Sequence, residues 1–156
     1  MEPGKHNRIT EILYDAWDKA RGTRVFPEPD DIDKSIISEV WDDSFIIKII
    51  PLISEYGFSF EYRGKNLSPE HIHSETGLYI KNLITGFLET ETERYTKVVK
   101  SKKPLIEENI YKAANGGVIK YRQILLPLGN TNKDEACVEK IIGGMRFLIE
   151  HSTSED

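Results

Sequence analysis

The sequence predicts an α+β domain in which a five-stranded antiparallel sheet carries helices on one face. Apolar, strand-like runs near the end of the chain are separated by turn signals rich in Gly and Asn, as expected for two linked hairpins. Two more strand-like runs lie earlier, and helical patterns stand between the groups rather than alternating with single strands, which disfavours a parallel sheet. The late runs are Pro104–Tyr111, Val118–Leu128 and Val138–Phe147.

The first element is an amphipathic helix predicted over Asn7–Ala20, with Gly22 placed to end it. Its apolar residues recur every three or four positions, which places them on one stripe. This stripe either packs on the sheet of the same chain or forms an interface with a second subunit, and the sequence favours neither alternative. The interface candidates are Ile9, Leu13 and Trp17.

A second helix is predicted to run to about Trp41, with Asp33 as the favoured cap and Asp31 left open as the alternative. The next segment, Ser44–Ile50, is almost continuously apolar, which suits a central strand. In Phe58–Arg63, aromatic and polar residues alternate, and a period of two predicts that the three aromatic side chains share one buried face. These aromatic residues are Phe58, Phe60 and Tyr62.

Helices are predicted between the second and third strands. Ser68-Pro69 is a helix start, Leu78–Leu88 has helical apolar spacing, and Thr90–Ser101 is the last helix of the group. The predicted organisation is therefore an N-terminal helical extension, a core and a frayed tail. Their bounds are 1–43, 44–149 and 150–156.

Composition bounds the function classes. The 156 residues carry 26 acidic and 21 basic side chains, and this negative balance argues against non-specific nucleic-acid binding. A single cysteine, Cys137, excludes an intramolecular disulfide. No apolar run reaches the roughly 18 residues that suggest a membrane-spanning helix, and the start of the chain lacks an apolar signal core. We therefore expect a cytoplasmic protein without membrane insertion.

Several short motifs occur in a particular order along the chain. Trp17, Pro27 and Asp31-Ile32-Asp33 come first, and two Gly-containing pairs and two strand motifs follow. In this order and spacing the chain resembles a bacterial family of small, stand-alone PAS proteins over about residues 9–148. The later motifs are Tyr62-Arg63-Gly64, Thr76-Gly77, Leu126-Pro127-Leu128 and Gly143-Gly144.

The resemblance implies a PAS-like sensory or protein-interaction module rather than an enzyme. It also implies a homodimer, often formed through the N-terminal helix, and a signalling partner in trans. A small ligand is expected between the sheet and the helices, because aromatic side chains with polar handles suit a flat molecule. The cofactor is not specified. The candidate pocket residues are Phe58, Phe60, Tyr62, Leu83, Phe87, Tyr95, Tyr121 and Met145.

Two rival interpretations remain open. One is a cone-shaped α+β enzyme with a general base among His71, His73, Glu107 and Glu108, although the two glutamates point to opposite faces of a strand. The other is a structural adaptor with a filled core.

His71 and His73 also suggest a metal pair or a haem ligand, but their placement on a short helix makes their side chains diverge, so no metal site is predicted.

Overall fold

The computed structural model describes residues 8–67, 92–112, 118–131 and 136–150. It contains three α-helices, three short 3₁₀ segments and five strands within those ranges. The helices are α1 (Ile9–Arg21), α2 (Lys34–Ile37) and α3 (Thr92–Ser101), and the 3₁₀ segments are Pro29–Asp31, Ser38–Asp43 and Lys65–Leu67. The strands are β1 (Ser44–Pro51), β2 (Tyr56–Arg63), β3 (Leu105–Lys112), β4 (Val118–Asn130) and β5 (Cys137–Glu150).

The strands form one antiparallel sheet in the order β2-β1-β5-β4-β3. The predicted five-stranded antiparallel sheet is therefore confirmed, and each predicted strand corresponds to an observed one. Strand β5 lies at the centre, between β1 and β4, which explains why its residues Ile141 and Ile142 are both buried. A strand with neighbours on both sides and cover on both faces reads as a continuous apolar run.

Helices cover both faces of the sheet, so the prediction that they lie on one face is wrong. We call the face that bears Phe45 and Leu125 the front face, and the face that bears Ile46 and Ile142 the back face. Helix α3 packs on the front face, whereas α1 and the 28–43 segment pack on the back face. The reason is that the central strands are apolar on both sides, and each side must be removed from water.

Helix α1 buries its apolar stripe on the sheet of its own chain. Ile9, Leu13 and Trp17 are at most 2 % exposed, and the indole Nε1 of Trp17 donates a buried hydrogen bond of 2.8 Å to the Pro127 carbonyl oxygen. Of the two alternatives left open for this stripe, the structure selects packing within the chain. The three side chains proposed as a subunit interface are therefore buried and unavailable to a second subunit in this arrangement.

Residues from α1 to β5 belong to one hydrophobic core. Leu13 from the predicted extension and Phe45, Leu125 and Ile142 from the predicted core are members of the same cluster. The described part of segment 1–43 therefore folds as part of the same unit as the sheet. The strand β5 ends at Glu150, and the predicted tail after it lies outside the described residues.

The second helix is shorter than the sequence predicts. Asp33 is its N-cap, as expected, and its carboxylate accepts a hydrogen bond of 3.0 Å from the Ser35 backbone amide. The α-helical geometry ends at Ile37, and residues Ser38–Asp43 continue as a 3₁₀ segment up to β1. The tighter winding of this segment presents Trp41 to the back face, where it lines a pocket.

The absence of a side chain at Gly144 sets how closely α1 approaches β5. A Cβ atom there would lie 2.8 Å from Ile9 Cδ1 and closer still to Leu13 Cδ1. We predict that Gly144→Ala lowers the free energy of unfolding by about 1 kcal/mol, because the end methyl groups of Leu13 and Ile9 must shift within a closely packed interface. Urea denaturation followed by circular dichroism measures the change.

Gly57→Ala is the matched control, because a Cβ atom at that position makes only ordinary contacts at 3.5 Å. We expect this variant to unfold close to the unmodified protein. Equal midpoints for the two variants would show that α1 does not rest on β5 at Gly144.

Candidate functional site

The front face brings together five of the eight residues predicted to line a ligand pocket. Strand pairing places Phe60 opposite Ile47 and Gln123 opposite Met145, and the alternation along each strand then fixes the remaining positions. Helix α3 adds one aromatic residue from above the sheet. The five residues are Phe58, Phe60, Tyr95, Tyr121 and Met145.

Aromatic contacts link β2 to both the sheet and helix α3. The rings of Phe58 and Tyr95 meet edge to face, with centroids 5.4 Å apart, and Phe60 meets Phe45 in a similar arrangement at 5.9 Å. The guanidinium of Arg63 lies 4.1 Å from the centroid of the Phe60 ring, within cation–π distance. A positive charge therefore stands at the β2 edge of an aromatic surface.

A row of polar side chains crosses the same face near β3. Gln123 is completely buried, and its amide Nε2 donates a hydrogen bond of 2.9 Å to Glu107 Oε1. The same carboxylate forms an ion pair with Arg94 of helix α3. The row therefore runs from a buried amide to a cation that is one-third exposed.

Tyr62 lies on the opposite face from Phe58 and Phe60, so the prediction that all three share one face is wrong. The register shifts between Ile46 and Ile47, which pair with Tyr62 and Phe60 respectively. One extra residue in β2 therefore turns every later side chain to the other face. On the back face the ring of Tyr62 stacks on that of Trp41 at 4.1 Å, and its hydroxyl donates to the Trp41 carbonyl oxygen.

Four of the residues proposed for ligand or metal binding lie outside the described residues. They are Leu83 and Phe87 of the predicted pocket, and His71 and His73 of the possible metal or haem pair. Within the described part of the chain, no group of three or more His, Cys, Asp or Glu side chains is placed to hold a metal ion.

The predicted opposition of Glu107 and Glu108 is confirmed. Glu107 belongs to the front-face row, whereas Glu108 forms ion pairs with Arg122 and Arg8. Because Arg8 directly precedes α1, its contact also places Glu108 and Arg122 on the back face. Arg122 therefore lies on the back face with Glu108.

The back face holds a small pocket that the sequence analysis did not predict. It has a volume of about 100 Å³ and lies between the sheet and the 29–41 segment. Its floor is apolar, whereas its rim carries charges of both signs, including an ion pair of 2.9 Å between Lys140 Nζ and Glu61 Oε2. The apolar lining consists of Pro29, Ile32, Ile37, Trp41, Ile46, Leu128 and Ile142, and the charged lining of Asp30, Lys34, Glu61 and Lys140.

Two signals in the sequence pointed to the residues that were missed. Gln123 immediately precedes the apolar run Ile124-Leu125-Leu126, all three of which are fully buried, so its own burial follows from its position in a central strand. Trp41 is a large apolar residue just before β1, where an aromatic side chain can turn back over the sheet. The surroundings of Gln123 and Trp41 became evident only once the neighbouring strands were known.

Comparisons with known proteins returned no relative. No family model matches the chain, and neither a curated protein nor a solved structure is similar to it. In the described residues, no helix is both long enough and apolar enough to span a bilayer.

Burial, and secondarily the negative charge of Asp42, raises the pKa of Tyr62 above its usual 10.0. We predict that an absorbance titration contains a late step above pH 10 to which Tyr62 contributes, and that Tyr62→Phe reduces the amplitude of this step. The folded protein holds this proton more tightly than the unfolded chain. The contribution to stability is therefore complete below about pH 10 and is lost as the pH rises further.

Tyr14→Phe is the control for this titration. Tyr14 is also partly buried and also contacts a tryptophan, Trp17, but its ring is tilted against the indole rather than stacked on it. The late step should persist in that variant. A late step of unchanged amplitude in Tyr62→Phe, with the lost absorbance taken from the earlier step, would contradict the assignment.

Proposed function

We propose that this chain is a PAS-like sensory module that binds a small ligand on the front face of its sheet. It signals to a partner protein in trans and works as a homodimer. The element order supports the proposal. Two strands come first, a stretch that contains a helix follows, and three further strands then complete a single antiparallel sheet. This is the order that the resemblance to PAS proteins implies.

The observation on which the proposal rests is the fully buried Gln123 among aromatic and sulfur-containing side chains. Tyr121 is its neighbour on the same strand face, and Met145 is its partner on β5. A buried amide is costly unless its polar atoms are used, and small-molecule sites combine an apolar surface with a few convergent polar groups. The front face has this composition.

The polar row also indicates the chemical class of ligand. Glu107 and Arg94 place an acceptor and a cation at one end of the row, and the rings of Phe58 and Tyr95 lie on the same face. Flat molecules bury their rings against such side chains and use one edge for hydrogen bonds. We therefore propose a flat ligand with a polar or anionic edge, without assigning it to a particular cofactor.

The proposal includes no catalytic step. Acid–base catalysis by two carboxylates requires both groups on one substrate, whereas Glu107 and Glu108 lie on opposite faces of β3. The alternative of a ligand-free adaptor is favoured by the burial of Tyr95, Tyr121 and Met145, which also suits a filled core. Ligand retention separates this alternative from the sensory module.

We predict that native mass spectrometry of the purified protein detects an additional small organic mass that is lost on denaturation. Gln123→Leu should raise the dissociation constant of the ligand roughly tenfold and so lower the occupied fraction, because the loss of a hydrogen bond to a bound polar group costs about 1.5 kcal/mol. Leucine resembles glutamine in size, so the front face stays filled in the variant.

Ile106→Ser is the matched control, because Ile106 lies on the edge strand β3 with its side chain on the back face and 52 % exposed. Its occupancy should equal that of the unmodified protein. A protein that carries no additional mass, and whose melting temperature is unchanged by a panel of flat aromatic acids, is a structural adaptor instead.

A further inference from the structure

The tip of the β1–β2 hairpin exposes a group of apolar side chains. Ile53 is fully exposed, Leu52 is 52 % exposed and Ile50 is 41 % exposed. The Leu52 amide donates a hydrogen bond of 2.9 Å to the Glu55 carbonyl oxygen, which closes the turn and fixes Ile53 at its apex. These three side chains are grouped on one turn rather than scattered singly, which makes the turn a candidate contact surface.

The back-face pocket matches this apex in size and character. Its floor is formed by buried apolar residues such as Ile37, Leu128 and Ile142. Its volume of about 100 Å³ is roughly that of three water molecules, which suits the four-carbon side chain of one isoleucine. A protruding Ile53 and an apolar pocket of its size are therefore present on the same chain.

The apex and the pocket lie at positions that allow reciprocal contact. Ile46 lines the pocket, and Ile50 is four residues further along β1 with its side chain on the same back face. Four residues of extended strand span about 13 Å. Leu52 lies on this face as well, because a Cβ atom at Gly57, the partner of Ile50, would lie 3.5 Å from both Ile50 and Leu52. The base of the apex and the pocket therefore share one face, and a two-fold axis between two copies can bring each apex to the pocket of the other.

Charges near the two features include one complementary pair, on a rim that also carries Asp30, Glu61 and Lys140. Glu55 is an exposed carboxylate two residues after the apex, and Lys34 is an exposed cation on the pocket rim. Among the described residues, neither side chain forms an ion pair within its own chain. In the reciprocal arrangement each Glu55 approaches the rim that carries Lys34 of the other copy.

We infer that two copies of this chain associate through the hairpin apex and the back-face pocket, with Ile53 of each copy seated in the pocket of the other. This inference deepens the proposed function by naming the surface of its homodimer, and it rests on that function for the homodimer but not for the front-face ligand. The buried surface is small, because few apolar side chains take part. The dimer is accordingly transient and depends on protein concentration.

Sedimentation velocity over a wide concentration range tests the inference on the full chain. The unmodified protein should shift from monomer to dimer as its concentration rises. Ile53→Ser should raise the dissociation constant at least about tenfold, because it truncates the central anchor of the interface. Ile53 is fully exposed in the single chain, so the melting temperature of the dilute variant should not change.

Ile106→Ser controls for a general loss of surface hydrophobicity, because Ile106 is also an exposed isoleucine but lies on β3 at the opposite sheet edge from β2. Its dissociation constant should equal that of the unmodified protein. A protein that sediments as a monomer throughout, or a dimer that Ile53→Ser leaves intact, overturns the inference. Equal weakening by the two variants overturns it as well.

A charge exchange supplies a second, independent test. Lys34→Glu and Glu55→Lys should each weaken the dimer about threefold or more, and the double variant should recover most of the loss, because the opposite charges are restored across the interface. Additive losses in the double variant would contradict the arrangement. Ligand retention measured in the same variants separates failure of the dimer from failure of the front-face site.

Discussion

The close approach of helix α1 to strand β5 is the contact on which the rest of the structure depends. Gly143 and Gly144 stand side by side in the central strand and leave room on opposite faces, one for the ring of Phe45 and the other for Ile9 and Leu13 of α1. Because the sheet is thin at this point, both of its faces can be sealed from water. Helix α1 covers the back face at this point, and helix α3 covers the front face.

The extra residue in β2 has a comparable effect at the sheet edge. It leaves Phe60 on the front face and sends Tyr62 to the back, where the ring stacks on Trp41. Trp41 also forms a wall of the back-face pocket. The bulge therefore divides the aromatic residues between two surfaces, one proposed to bind a ligand and the other to receive a second copy.

The two proposed surfaces are close enough to influence each other. Ile47 faces the front and Ile46 faces the back, so neighbouring residues of β1 belong to one surface each. A ligand that displaces β1 towards one face would alter the pocket on the other, provided that its affinity differs between the two arrangements. If both proposed surfaces are used, strand β1 links them directly, because it contributes side chains to each.

Local patterns in the sequence were sufficient to identify the strands and the end of α1 at Gly22, because each depends on neighbouring residues alone, and they narrowed the cap of α2 to Asp31 or Asp33. The same patterns identified five residues of the front face. Tertiary structure decided which face each element covers, the burial of Trp17 within its own chain and the placement of Tyr62. These outcomes depend on strand register and on close packing between distant segments, and one inserted residue reverses a side chain without changing its local pattern.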